Sequence, residues 1–356
     1  MGKNWVYHLV AFVTVAIWGS TFVFTKMLLH AGLSPAQIFT LRFIIAYVLL
    51  IGYSFIPYLF QKNTSLSAPR PFKGNTSPPV PRPFKENASS SVPRPFKGNT
   101  SPPVPRPLKG RGRGGVKLFA SSWRDELLMM ALGLTGGSLY FLTENAAMLY
   151  TTATNTSLIV CSCPLFAMLL VAVAYRKSEH IRRVQALGSV IACLGMAVVV
   201  LNGHFVLHLS PLGDLLAFVA CLCWAVYSLL MKSAIERYST LFITRKVFFY
   251  GLLTIIPYYI LRPSECWIFT PAVFRFFNLS LLLNLLFLGV VASMLCFLIW
   301  NWVIRQLGAV VATNWVYFNP ITTIVFAWWL LHEQITPWFL LGSLLILTGM
   351  YLCDRK

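Results

Sequence analysis

Glu144, Tyr140, Lys26 and Arg42 carry ionisable groups inside long apolar stretches of this sequence. Glu144 is the acid that lies deepest in such a stretch, and Tyr140 precedes it by four residues, one helical turn away on the same face. Lys26 and Arg42 are basic residues in two earlier apolar stretches. Because charges in an apolar medium need partners or water, this charge cluster predicts a polar functional site. The alternative is ion pairs that join helices, or long side chains that reach the water.

Amides and prolines occupy further positions in these stretches. They are Asn145, Asn155, Asn301, Asn314, Asn319, Pro164 and Pro320, with Trp315 as an aromatic neighbour. An amide bonds either a bound molecule or a neighbouring helix, and a proline inside a helix frees a carbonyl and kinks the helix. We expect these residues to line a path together with Glu144, and Tyr140 and Trp315 to form its stacking walls. Bonding between helices is the alternative for the amides.

The composition identifies the medium around these residues. Of 356 residues, 57% are hydrophobic and only 11% are charged, and the mean hydropathy is +0.69. A soluble domain carries about 25% charged residues. A soluble enzyme is therefore excluded, and a membrane protein with several spans is predicted.

Ten apolar runs are each about as long as a membrane-spanning helix, which needs about 20 residues. They lie near residues 5–29, 36–60, 127–149, 152–174, 182–201, 211–232, 241–261, 280–304, 309–331 and 336–353. The fold class is therefore all-α, a polytopic membrane protein with ten transmembrane helices.

The basic residues predict the orientation of these spans. If the N-terminus is cytoplasmic, 25 of the 29 Lys and Arg residues lie on the cytoplasmic side, and two, Arg262 and Arg275, lie outside. Cytoplasmic loops carry an excess of Lys and Arg. We therefore expect a multi-pass protein of the cell inner membrane with both termini in the cytoplasm.

The two halves of the chain repeat each other in one order. The matched pairs are Trp18 with Trp224, Lys26 with Lys232, Arg42 with Arg245, Asn145 with Asn301, Pro164 with Pro320, and Gly188–Met196 with Gly342–Met350. Each half has five spans, an odd number, so the second half must enter the membrane from the opposite side. Such inverted repeats are typical of secondary transporters. The repeated glycines are best explained as close contacts between helices.

These residues resemble a known family. Two five-span halves, each with a proline in its fourth span and a Glu–x8–Gly segment at Glu179 and Glu333, look like the EamA-type transporters of the drug/metabolite transporter superfamily. The resemblance implies transport of a small metabolite through a central cavity between the halves, and it names no solute. Two extra residues between Pro164 and Glu179, and an insert after the second span, depart from the pattern.

The predicted organisation has four parts. Residues 1–60 hold the first two spans of repeat one, 61–122 a disordered Pro-rich basic insert, 123–201 the rest of repeat one, and 211–353 repeat two. The insert contains four copies of a dodecamer over residues 69–116 and much of the net charge of +19. Because the charge is concentrated there, no nucleic-acid partner is expected. A neutral sequence expansion is the favoured interpretation of the insert, and binding to the lipid surface is the alternative.

The resulting hypothesis is an inner-membrane secondary transporter, an exporter of small organic metabolites that works by alternating access. No cofactor and no metal are expected, and membrane lipid is the surrounding partner. Proton coupling would run through Glu144, and facilitated diffusion is equally open. Two rivals are an integral membrane enzyme, for which His204 and His208 are the nearest approach to a metal pair, and a membrane anchor that works through the insert.

Overall fold

The computed structural model describes residues 4–64, 118–151, 153–174, 182–201, 210–269, 278–331 and 337–354. Every regular element in these ranges is helical. The chain divides into two units, residues 1–54 with 118–356, and residues 55–117. Of the second unit the structure describes residues 55–64, so the predicted dodecamer repeats over 69–116 lie outside the described residues, as do His204 and His208.

Within the described ranges the chain forms ten helical segments. They are α1 (Asn4–His30), α2 (Pro35–Thr64), α3 (Trp123–Tyr150), α4 (residues 153–174), α5 (Arg183–Leu201), α6 (Pro211–Ile235), α7 (Thr240–Leu261), α8 (Leu279–Leu307), α9 (residues 309–331) and α10 (Pro337–Asp354). Their ends lie within four residues of the predicted spans. Six of them, α1, α2, α3, α6, α7 and α8, are long and apolar enough to cross a membrane, and α4, α5 and α10 contain shorter apolar helices. The chain is an all-α membrane protein.

Local sequence signals set several helix ends. The hydroxyl of Ser122 accepts a 3.2 Å bond from the backbone N–H of Asp125 at the start of α3. Asn278 does the same for Leu281 at the start of α8, at 2.8 Å. Both are N-cap bonds, which satisfy donors that the first helical turn leaves free. Between α8 and α9 the chain turns at Gly308, whose φ of +84° is a conformation that glycine adopts without strain.

The two predicted proline kinks fall at breaks in α4 and α9. Helix α4 consists of Ala153–Val160 and Cys163–Ala174, and Pro164 is the second residue of the latter. Helix α9 contains a 3₁₀ segment, Trp315–Phe318, after which Pro320 is the second residue of Asn319–Leu331. A proline is tolerated at this position because it has no N–H to leave unbonded. Each proline therefore lies in the first turn of the helical piece that follows the break.

Two helices contain π-helical segments, Leu134–Ser138 in α3 and Phe287–Leu295 in α8. The shift in residue number from Asn145 to Asn301, applied to the first segment, gives residues 290–294. These residues lie inside the second segment. A π-helical segment widens the turn, which weakens the regular bonding of the helix backbone and is frequent at functional sites. The two π-helical segments therefore fall at positions that the predicted repeat relates.

The helices that surround the centre pack in two groups, each of which mixes the two halves of the chain. Helix α1 packs against α8 and α9, and helix α6 packs against α3 and α4. We call these groups bundle A (α1, α8, α9) and bundle B (α3, α4, α6). Helix α7 packs along α3. Each bundle thus takes one helix from one half and two from the other.

The final helices of the two halves, α5 and α10, pack against each other through glycines. A Cβ atom added to Gly188 would lie 2.6 Å from the carbonyl oxygen of Gly349, and one added to Gly195 would lie 2.7 Å from the backbone nitrogen of Ile346. Both distances are too short for a carbon atom. The expectation that these glycines allow close helix contact is therefore confirmed.

Candidate solute cavity

A cavity lies between bundles A and B. It is lined by Trp18, Thr21, Phe22, Phe297, Val316 and Asn319 of bundle A, by Tyr140, Phe141, Glu144, Val160, Cys163 and Trp224 of bundle B, and by Arg42 of α2. A volume of about 30 Å³ is open to the centres of water-sized molecules. That space holds one or two waters. The cavity as it stands therefore has no room for an organic solute.

Glu144 and Tyr140 form the acidic side of the cavity. The hydroxyl of Tyr140 donates a 2.8 Å hydrogen bond to Oε1 of Glu144. The pair arises locally, because residues four apart face the same side of a helix. Glu144 is 8% exposed, so its carboxylate is held in a largely apolar surrounding. The prediction that the two side chains lie on the same face of the helix is confirmed.

Arg42 provides the basic side. Its Nε donates a 2.9 Å bond to Oγ of Ser293, in the π-helical segment of α8. Its guanidinium carbon lies 4.4 Å from the centre of the Phe141 ring, a cation–π contact. Arg42 is 2% exposed. The side chain therefore lies at the junction of α2, α3 and α8.

The two charges share the cavity without forming an ion pair. Nitrogen and oxygen atoms of Arg42 and Glu144 do not come within 4.0 Å of each other; among the described residues the ion pairs join Arg237 to Asp125 and Lys246 to Glu126. Lys26, the third member of the predicted charge cluster, is exposed and is not among the described residues that line the cavity. The buried charge cluster thus consists of Arg42 and Glu144.

Aromatic rings form most of the remaining wall. The rings of Trp18 and Trp224, which are matched residues of the two halves, meet edge to face with centroids 5.4 Å apart. Trp18 donates from Nε1 to the carbonyl oxygen of Ala292 at 2.9 Å. This carbonyl belongs to the π-helical segment of α8, so the segment is bonded by both Trp18 and Arg42. These wide apolar faces suit an apolar group of a solute.

Two residues of the cavity wall have a buried polar atom that lacks a hydrogen-bond partner among the described residues. Nε1 of Trp224 and Oδ1 of Asn319 are buried, and neither has a hydrogen-bond partner among the described residues. Asn319 stands next to Pro320, at the start of the second piece of α9. An unpaired buried donor or acceptor is costly, which favours a bound molecule or a water as its partner.

The remaining predicted amides bond neighbouring helices. Asn145 donates from Nδ2 to the carbonyl oxygen of Pro35 at 3.3 Å, and its Oδ1 has no partner among the described residues. Asn314 accepts a 3.3 Å bond from Ser189 of α5. The side chain of Asn155 lies outside the described residues. In the part of the chain that the structure describes, neither Asn145 nor Asn314 lines the central cavity.

Asn301 of bundle A forms hydrogen bonds to α6 and α7, near the end of the bundles at which α3 begins. Its Oδ1 accepts a 2.7 Å bond from Tyr227 of α6, and its Nδ2 donates a 2.9 Å bond to Thr244 of α7. Thr313 of α9 and Ser228 of α6 are 3.4 Å apart at their hydroxyls. We call these the cross-bundle bonds. Two of them, Tyr227–Asn301 and Thr313–Ser228, join bundle A to bundle B.

Trp315 lies in a separate pocket. Its Nε1 donates a 3.2 Å bond to Nδ1 of His8. The two residues line this pocket together with Val311, Asn314 and residues of α10, and its volume is about 250 Å³. The predicted role of Trp315 as a stacking wall therefore concerns this pocket and not the central cavity.

Sequence reasoning missed two acids at the start of α3. This helix begins at Trp123, four residues before the predicted span, so Asp125 and Glu126 belong to its first turn and both are buried. Glu126 pairs with Lys246 of α7 and accepts a 2.5 Å bond from Tyr250. Glu144 therefore shares α3 with two buried acids in the first turn of the helix, which the predicted start of the span left out. The capping residue Ser122, followed by acids, was the signal for an earlier start.

Comparisons with known proteins agree with this architecture. The sequence matches the EamA-like transporter family over residues 113–201 and 211–353. An uncharacterized transporter of Archaeoglobus fulgidus is 27% identical over 246 residues, 68% of this chain and 80% of that protein. A probable terminal-alkyne amino-acid exporter of Streptantibioticus cattleyicolor is 27% identical over 232 residues, 65% of this chain and 74% of that protein.

A solved crystal structure with 16% sequence identity has the same fold. Its TM-score is 0.63, over 99% of this chain and 98% of that chain. The family match, together with the cavity between two mixed bundles, identifies a membrane transport protein. The chain belongs to the EamA-like transporter family.

Proposed function

We propose that this protein is a secondary transporter that exports small organic metabolites by alternating access. The observation that carries the proposal is the cavity between bundles A and B, which contains buried charges, and we assign the closure of one of its sides to the cross-bundle bonds. A path that is closed on one side at a time is the requirement of alternating access. The membership of the transporter family supports transport over the rival enzyme and anchor hypotheses.

The proposed architecture is ten spans in two inverted five-helix repeats. Matching π-helical segments in α3 and α8, and matching proline breaks in α4 and α9, support it. We further propose that the protein lies in the cell inner membrane with both termini cytoplasmic, because of the asymmetry of Lys and Arg. The cavity would then face outward, and the cross-bundle bonds would close the cytoplasmic side.

In this mechanism bundles A and B move apart on the cytoplasmic side while they close on the outer side. The cross-bundle bonds at Asn301 and Thr313 must break during that step, and the solute then reaches Glu144 and Arg42 from the cytoplasm. Hydrogen bonds between membrane helices are worth about 1 kcal/mol each, so a few of them can be broken and re-formed during turnover. Export is favoured by the similarity to the probable terminal-alkyne amino-acid exporter of Streptantibioticus cattleyicolor.

The dodecamer repeats of residues 69–116 are proposed to be dispensable for this mechanism. All residues that line the cavity belong to the other unit, residues 1–54 with 118–356. Proton coupling through Glu144 is part of the proposal, since Glu144 is the acid that lines the cavity among the described residues. Facilitated diffusion is the alternative, and it differs in that a pH gradient would not drive net movement.

Flux through proteoliposomes tests the proposal. Purified protein is reconstituted with a mixture of labelled small metabolites inside, and efflux is compared with protein-free vesicles. We expect efflux that Cys163→Phe abolishes, because Cys163 lines the narrow cavity and a phenyl ring would fill it. The matched control is Cys266→Phe, in a connection away from the cavity. Absence of efflux with well-folded protein, or equal efflux in both variants, would overturn the proposal.

A further inference from the structure

The two bundles correspond to each other under the proposed repeat, but the contacts between them are unequal. Helices α1, α8 and α9 of bundle A are the counterparts of α6, α3 and α4 of bundle B. Helix α6 packs against α8 and α9 of the other bundle. The counterpart contacts would join α1 to α3 and α4, and within the described ranges α1 is not among the helices that pack against either. The bundles therefore pack together at α6 and not at α1.

The Tyr227–Asn301 bond has a counterpart pair in the first half of the chain. The same matching that pairs the two tryptophans of the cavity wall relates Thr21 of α1 to Tyr227 of α6. Asn145 of α3 is the matched residue of Asn301 of α8. Since Tyr227 bonds Asn301 at 2.7 Å, the corresponding bond of the first half would join Thr21 to Asn145.

Thr21 and Asn145 have other surroundings in the described conformation. Thr21 lines the cavity, and its hydroxyl donates a 2.7 Å bond to the carbonyl oxygen of Trp18, within the same helix. Asn145 is 1% exposed, and its Oδ1 is buried without a hydrogen-bond partner among the described residues. A buried acceptor without a donor is costly. The unpaired oxygen therefore favours a second conformation in which a donor reaches it.

The two residues also lie at the depth that such a bond requires. Thr21 is nine residues from the end of α1, and Asn145 is five residues from the end of α3. Their counterparts are eight and six residues from the ends of α6 and α8. In the proposed topology α1 and α3 end on the outer side, whereas α6 and α8 end on the cytoplasmic side. The counterpart bond would therefore lie on the outer side of the cavity.

We propose, on the basis of the transport function and the inverted repeat above, that Thr21 and Asn145 form an outer gate. When the bundles close on the outer side, the hydroxyl of Thr21 donates to Oδ1 of Asn145, as Tyr227 now donates to Asn301. In transporters with inverted repeats one half moves against the other around a fixed site, so the halves exchange roles between the outward and inward conformations. Because threonine is shorter than tyrosine, α1 must approach α3 more closely than α6 approaches α8.

The outer gate has fewer hydrogen bonds than the cytoplasmic side. The second bond between the bundles joins Thr313 to Ser228, whose counterparts are Ser157 and Phe22. The phenyl ring of Phe22 has neither a hydroxyl nor an amide with which to repeat this bond. One of the two bonds therefore has no equivalent on the outer side.

An arginine adds to the cytoplasmic side alone. Arg305 of α8 donates a 2.7 Å bond to the carbonyl oxygen of Ile235 at the end of α6, and another to that of Tyr238. The last carbonyls of a helix have no partner within the helix, so the guanidinium satisfies them. The counterpart of Arg305 is Leu149, whose side chain cannot donate a hydrogen bond. The conformation that is closed on the cytoplasmic side is therefore the favoured one at rest.

Disulfide crosslinking tests the outer gate without a known solute. Thr21→Cys and Asn145→Cys are combined in a full-length chain whose eight native cysteines are replaced by alanine, and the protein is oxidised in lipid vesicles. We expect a crosslink, because α1 meets α3 whenever the outer side closes. Addition of Tyr227→Phe should raise the crosslinking rate about fivefold, since the loss of one hydrogen bond between membrane helices shifts the balance by about that factor.

Two controls belong to the crosslinking experiment. The pair Thr21→Cys with Met130→Cys joins α1 to the opposite end of α3 and should not crosslink. Tyr258→Phe removes a 2.8 Å bond to Glu265, away from the contact between the bundles, and should leave the rate unchanged. A crosslink no faster than that of the Met130 pair, or equal effects of Tyr227→Phe and Tyr258→Phe, would overturn the inference.

Single substitutions of Thr21 test the hydroxyl itself. Valine keeps the shape of threonine and removes its hydroxyl, whereas serine keeps the hydroxyl. Both variants should unfold like the unaltered protein, because in the described conformation the hydroxyl bonds within its own helix. We expect Thr21→Val to lower efflux from vesicles about fivefold and Thr21→Ser to retain it. Equal efflux in the two variants would contradict the assigned bond.

Failure of this inference is distinguishable from failure of the proposed function. If the vesicles release metabolites while the Thr21–Asn145 pair does not crosslink, transport is supported and the outer gate is wrong. If the pair crosslinks with the expected dependence on Tyr227 but no solute crosses, the transport proposal is wrong and the alternation between the two bonds holds.

Discussion

The hydroxyl of Tyr227 donates a 2.7 Å hydrogen bond to Oδ1 of Asn301 and so joins α6 of bundle B to α8 of bundle A. Both side chains are fully buried. Because the bond runs between the bundles, its loss should weaken their contact with each other more than the packing inside either bundle. The consequences for stability can be measured directly.

Removal of this bond should destabilise the closed state. We expect Tyr227→Phe to lower the free energy of unfolding by about 1–2 kcal/mol, because Oδ1 of Asn301 is left without a donor. The measurement is denaturant unfolding in detergent micelles. Together with Asn301→Ala and the double variant, it forms a cycle whose coupling energy should be about 1 kcal/mol. Strictly additive effects would show that the bond does not contribute.

The two ion pairs at the start of α3 should differ strongly in their contribution to the free energy of unfolding. Lys246 and Glu126 are both largely buried, whereas the side chain of Arg237, which pairs with Asp125, is 49% exposed. Lys246→Met leaves a buried carboxylate unpaired and should cost about 3–5 kcal/mol. Arg237→Met should cost less than about 1 kcal/mol. Unfolding of the two variants side by side checks this order, and equal losses would refute it.

Replacement of Glu144 separates a proton relay from a structural role. Gln can still accept the hydrogen bond from Tyr140, and Glu144 has no ion pair to lose among the described residues. We therefore expect Glu144→Gln to express and unfold like the unaltered protein, while transport driven by a pH gradient is lost and solute exchange is largely kept. The measurement is flux with and without the gradient. An unchanged flux and pH profile would remove Glu144 from the mechanism.

Labelling of single cysteines checks the proposed orientation. Cysteines at Ser34, Gly203 and Thr336 should react with an impermeant reagent from outside, and those at Lys62, Ser178 and Arg355 only after the membrane is permeabilised. The expectation follows from the charge asymmetry of the connecting segments. Reaction at Ser178 from outside would contradict the inverted repeat, since it changes the side of every later span.

Deletion of residues 69–116 should leave expression and flux nearly unchanged. The repeats interrupt an otherwise complete pattern at a connection between spans, where extra length costs little entropy. Flux per inserted molecule is compared between the full chain and the deletion variant. A deletion variant that inserts normally and loses most of its transport would assign a role to the repeats, and lipid binding would then be tested first.

The helices were predictable because the thickness of a bilayer fixes the length of an apolar run. The Tyr140–Glu144 contact was predictable as well, since both residues stand on one helix. Contacts between distant parts of the chain were not. Nothing in the sequence near Arg42 indicates Ser293 as its partner, and a one-helix argument cannot show that Asn301 bonds Tyr227 across the bundles. The depth of a residue along its span could be inferred from the sequence. The neighbouring helix that its side chain contacts depends on packing and could not be inferred.

The contact between α5 and α10 determines which parts of this protein can move. A single carbon added at Gly349 would meet the backbone nitrogen of Ala192 at 2.5 Å, so the two backbones touch and cannot slide past each other or change register without separating. The last helix of one half is therefore clamped to the last helix of the other. We expect α5 and α10 to keep this contact and to move as one unit when the bundles separate.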